Sequence, residues 1–84
     1  MTITPSQCRA ARALLGWSRK QLAQLALIAE RTLVDFERGA RNPLDRTLSD
    51  IRRALEDAGV IFIDENDEGP GVRLRKEKMQ AHRT

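Results

Sequence analysis

The residues best placed to do chemistry lie between positions 30 and 38. Placed about 100° apart around a helix, Glu30, Arg31, Val34, Asp35 and Arg38 fall within an arc of roughly 140°. Leu33 and Phe36 fall on the opposite side, with Ala29 between them. The polar arc suits recognition rather than catalysis. A guanidinium offers a planar fork of donors that matches guanine O6 and N7, a carboxylate accepts from cytosine N4, and a Val methyl meets the methyl of thymine. A plainer reading stands beside each of these. Arg31 and Asp35 are four residues apart and can pair along the helix surface. Glu30 in a first turn favours the helix dipole.

Other chemistry is poorly supplied. Cys8 is the only cysteine and His82 the only histidine. A zinc cage needs four ligands, usually several of them Cys or His, and a catalytic triad needs a histidine held in place. No nucleophile–base pair and no phosphate-binding loop is visible, so no cofactor, metal or enzymatic activity is expected. Cys8 reads as a buried thiol and Trp17 as core packing at a helix corner.

The elements that must position the polar arc follow from local signals. Thr4-Pro5 opens a helix over 5–15, with Thr4 as N-cap and Pro5 at its first position. Gly16 stops it. Ser18 and Gln21 form a capping box for a helix over 19–26, whose apolar side is Leu22, Ala23, Leu25 and Ala26. The third helix spans 29–38 and ends at Gly39. The fourth spans 45–58, capped by Asp45 and ended by Gly59. Leu44, Leu48, Ile51, Leu55 and Ala58 trace one stripe along it, and Arg46/Asp50, Arg52/Glu56 and Arg53/Asp57 are i,i+4 pairs on its other faces. Val60–Ile63 and 72–75 then read as short strands around an acidic, turn-rich loop. The fold expected is mainly α: four helices followed by a C-terminal β-hairpin or pair of strands.

Size and charge set the bounds. The 84 residues make one domain, with a helical part at 1–59, strands at 60–76 and a polar tail at 77–84. Hydrophobic residues make up 40%, enough for a packed globule. No stretch approaches the roughly 20 apolar residues of a membrane span. No secretory signal is visible, and a cytoplasmic location is expected. The net charge of +3 rests mainly on arginine, compatible with nucleic acid.

Two short helices in tight succession, the second with a polar outward face, form the helix-turn-helix plan. The major groove is about 12 Å wide and admits one helix, and the preceding helix locks its angle by packing. Leu22, Ala26, Leu33 and Phe36 have the spacing for that clamp. Gln21-Leu22-Ala23, then Phe36-Glu37-Arg38-Gly39 and Arg41-Asn42-Pro43, resemble the Xre family of phage repressor/Cro-like helix-turn-helix regulators over about residues 6–58. The resemblance implies base-reading positions at Glu30, Arg31 and Asp35, with Val34 beside them. It implies phosphate contacts at Ser18, Arg19 and Gln21 and at Arg38, Arg41 and Asn42. It also implies an internal ion pair between Arg12 and Glu37. The chain departs from the family pattern at Leu27, where the turn usually carries Gly, and at Ala29, where Ser or Thr often caps the third helix.

These readings lead to a sequence-specific transcription regulator, most simply a repressor. It is expected to bind a double-stranded, palindromic DNA operator as a homodimer. The expected dimer interface is Ile51, Leu55, Val60, Phe62, Val72 and Leu74. Contact with polymerase or another protein is a further candidate. Arg73, Arg75, Lys76 and Lys78 form either a basic arm on DNA or a solvated strand face. The rival reading is an antitoxin-like interaction module that binds a partner protein, with DNA binding secondary.

Overall fold

A computed structural model describes residues 2–65 and 68–76. The elements are α1 (Pro5–Leu15), α2 (Arg19–Ala26), α3 (Glu30–Glu37), α4 (Asp45–Asp57), β1 (Val60–Ile63) and β2 (Gly71–Leu74). The expected class therefore stands: four helices and a two-stranded antiparallel sheet.

Local chemistry sets most boundaries. Thr4 caps α1, and with Gln7 it closes a reciprocal box: the Gln7 N–H donates to Thr4 Oγ1 and the Thr4 N–H to Gln7 Oε1. Ser18 and Gln21 do the same for α2, at 3.0 and 2.8 Å. Gly16 ends α1 in the left-handed region, at φ 69°. The turn after α2 also requires positive φ, and Leu27 supplies it at φ 61° with no other non-glycine residue doing so among the described residues.

Several boundaries differ from the sequence reading, among them the end of α4, which falls at Asp57 and not at 58. The third helix is one residue shorter at each end, with Ala29 as an N-cap that makes no side-chain bond. The N-cap of α4 is Leu44; Asp45 is already helical, so its carboxylate serves the first turn through the dipole instead of as a cap. The second strand is Gly71–Leu74, set one residue earlier by its register against β1: Val60 faces Leu74 and Ile63 faces Gly71. Of the three surface pairs expected on α4, Arg52–Glu56 closes, at 3.0 Å.

The core joins all six elements. Cys8 and Ala11 of α1, Leu22, Ala23 and Ala26 of α2, Leu33 and Phe36 of α3, and Leu48, Ile51 and Leu55 of α4 are buried together, with Ile3, Val60, Phe62 and Leu74. This changes the expectation for the dimer interface. Ile51, Leu55, Val60, Phe62 and Leu74 are already covered by their own protomer, and Val72 is half-buried against the same core. The hairpin alone has too little apolar area to stand free, and the helices supply its cover. Side chains alternate across a strand, so Ile61, Ile63 and Arg73 point to its other face. Arg52 reaches over the Phe62 ring, 5.2 Å from its centroid.

The hairpin is fastened to α1 by one side chain. The Gln7 amide nitrogen donates to the carbonyls of Ile63 and Gly71, at 3.2 and 3.0 Å.

Candidate nucleic-acid interface

The eight residues of α3 span about 12 Å. Leu33 and Phe36 are buried against α2, as their spacing requires, and Leu22 and Ala26 meet them from the other side. Small Ala23 and Ala26 on α2 allow close approach. With the apolar face clamped, the other face is left to solvent: Glu30 and Arg31 are exposed and Val34 is half-buried. Asp35 lies at the edge of the arc and is only 16% exposed. Its carboxylate lies beneath two guanidiniums, 3.3 Å from Arg31 Nε and 3.9 Å from Arg38 Nη1.

The residues expected to touch phosphates lie at the start of α2 and just after the end of α3. Ser18, Arg19 and Gln21 are exposed at the start of α2, where free backbone N–H groups attract anions. Ser18 and Gln21 are also engaged in the capping box, so Arg19 is the freest of the three. Arg38, Arg41 and Asn42 are exposed at and just after the C-terminal end of α3. Lys20, which the sequence reading passed over, is exposed beside Arg19. Its position in the first turn of α2 was the available signal. Arg73 and Arg75 are exposed on the hairpin, while Lys78 lies outside the described residues.

One anchor holds the end of α3 against α1. Glu37 is buried, and its carboxylate accepts two bonds from Arg12, at 2.8 and 2.7 Å. Arg12 also donates to the carbonyl of Trp17, at 3.0 Å. The Cys8 thiol donates to the same carboxylate at 3.1 Å, and Arg9 Nη1 donates to the Glu37 main-chain carbonyl. Arg9 was missed in the sequence. Its placement one residue after Cys8 and three before Arg12 on one helix is the signal that could have revealed it. The paired carboxylate raises the Arg12 guanidinium above its ordinary value. Burial, then the bond to Glu37, pushes the Cys8 thiol far above the ordinary thiol range. Trp17 packs against the core and lines a shallow groove with Leu25, Ala54, Asp57 and Ala58.

A short helix clamped by its predecessor, with its charged face outward and exposed basic side chains at the start of α2 and just after α3, defines a DNA-binding helix-turn-helix domain. The helix-turn-helix family model HTH_3 matches residues 9–56, and the chain belongs to this family of Xre/Cro-like regulators. Comparison with curated proteins gives no match. The protein is thus a DNA-binding regulator of transcription. Among the described residues, no helix is long and apolar enough to cross a membrane.

Proposed function

We propose that the protein binds a specific double-stranded operator as a homodimer and acts as a repressor through occupancy of a promoter. The observation that carries this reading is the division of α3: Leu33 and Phe36 are buried while Arg31, on the other side, is 80% exposed. Arg31, Glu30 and Val34 read base edges from the major groove. Arg19, Arg38, Arg41 and Asn42 contact phosphates and set the register, together with Ser18 and Gln21 through the N-terminus of α2.

Two-fold symmetry places half-site centres about 34 Å apart, one helical turn of DNA. Since the inner face of the hairpin is covered by its own helices, the pairing surface we favour is the outer one, with Ile61 and Ile63, the latter 37% exposed. A gel-shift with DNA from upstream of the protein's own gene against random duplex tests the function. Wild type is expected to prefer the upstream fragment, and Arg31→Ala to lose that preference. Equal binding of both duplexes by wild type would overturn sequence-specific recognition. Sedimentation of Ile63→Asp tests the pairing surface, and an undisturbed dimer would reject it.

A further inference from the structure

We infer that Asp35 is a positioning residue, which aims Arg31 at a guanine in each half-site and does not itself read a base. The inference rests on the reading of α3 given above and goes one step past it. Arg31 and Asp35 are one turn apart, and both carboxylate oxygens face the same atom: Nε lies 3.3 Å from Oδ1 and 3.4 Å from Oδ2. A guanidinium has five N–H donors in a rigid fork. With Nε turned to Asp35, the two terminal nitrogens make no hydrogen bond among the described residues. A bidentate contact to guanine O6 and N7 needs two such parallel donors.

The exposures set the order in which a duplex meets these groups. Arg31 and Arg38 stand at 80% and 61%, while Asp35 between them stands at 16%. An approaching base edge therefore reaches the guanidiniums before the carboxylate. A lone carboxylate facing a polyanion opposes binding; one placed behind two arginines restrains their rotamers instead. Arg38 lies 3.9 Å from Oδ1, so the same carboxylate ties a base-facing arginine to a phosphate-facing one. The main chain fixes Asp35 in turn, because the Ala40 N–H donates to its carbonyl at 2.9 Å.

The test is selection from a random duplex library by wild type, Asp35→Ala, Asp35→Asn and Arg31→Ala. Wild type should enrich a guanine in each half-site, and Arg31→Ala should lose it. In Asp35→Ala the preference at that same position should fall about tenfold, the scale of one bidentate contact. Total duplex affinity at low salt should hold or rise, since a negative charge has gone. Asp35→Asn keeps an acceptor and should lose less. Thermal melting of each variant separates these effects from misfolding. A guanine preference intact in Asp35→Ala would overturn the inference, and so would loss of preference at a different position, which would make Asp35 a base reader. If wild type enriches nothing, the reading of α3 itself fails, and that result is distinct from the other two.

Discussion

The guanidinium of Arg12 and the carboxylate of Glu37 meet in a two-point pair, Nε to Oε2 at 2.8 Å and Nη2 to Oε1 at 2.7 Å, with Glu37 only 1% exposed. Glu37 is the last residue of α3 and Arg12 lies in the last turn of α1. The pair thus ties the C-terminal end of α3 to α1 and restrains the angle between the two helices. Removing one partner of such a pair leaves a buried charge uncompensated, at about 3–5 kcal/mol. Arg12→Ala should cost stability at the lower end of that range, since the Cys8 thiol still donates to Glu37. Glu37→Gln, which keeps an acceptor, should cost less. Urea unfolding of both variants checks the order.

Leu27 should be replaceable with profit. It holds a left-handed conformation, which costs an L-residue roughly 1–2 kcal/mol, and its side chain is 91% exposed, so little burial offsets the strain. Leu27→Gly relieves the strain while adding some backbone entropy to the unfolded chain. A net gain near 1 kcal/mol should raise the melting temperature by about 4–8 °C. Calorimetry decides it; a lower melting temperature would mean that the exposed Leu side chain contributes to the fold.

The bare N-cap of α3 allows a second gain. Ala29 already has the extended backbone of a cap but no side-chain acceptor. Ala29→Ser should add about 1 kcal/mol by bonding a free N–H of the first turn. The two changes sit on one turn, so their sum is expected to depart from additivity by a few tenths of a kcal/mol.

Arg41 and Arg31 should fail in different ways. Arg41 is exposed beyond the end of α3, and the proposed function gives it a phosphate contact. Arg41→Ala should weaken specific and random duplex alike and reduce the slope of log affinity against log salt by about 1. A gel-shift series over several salt concentrations reads both quantities. A selective loss on the specific fragment alone would move Arg41 to the base-reading set.

Cys8 should be chemically silent in the folded protein. Its thiol is buried and donates to Glu37, and burial raises its pKa, so the reactive thiolate is scarce at neutral pH. A thiol reagent is expected to label it only at the rate of unfolding, and urea should expose it in a single step. Fast labelling of native protein would contradict the packing of α1.

The helices were legible because their punctuation is local. Pro5, Gly16, the Ser18–Gln21 box and the periodic Leu22, Leu33, Phe36, Ile51 and Leu55 each act within one or two turns. The Arg12–Glu37 pair came from family resemblance; nothing in its spacing of 25 residues announces it. Two things stayed out of reach. Whether Ile51, Leu55 and Phe62 face their own chain or a partner depends on how the hairpin folds back, which an apolar stripe does not encode. The half-burial of Asp35 depends on its place at the edge of the polar arc and on where two long arginine side chains come to rest.

Gln7 has a wider consequence. Its one amide nitrogen holds the carbonyls on both sides of the hairpin's mouth, at Ile63 and Gly71. The two ends of the connecting loop are thereby pinned to the amino-terminal helix, whatever the loop between them contains. Insertions there should leave the exposed face of α3 undisturbed, so this corner is a natural place to graft a tag, a fluorophore or a new binding loop.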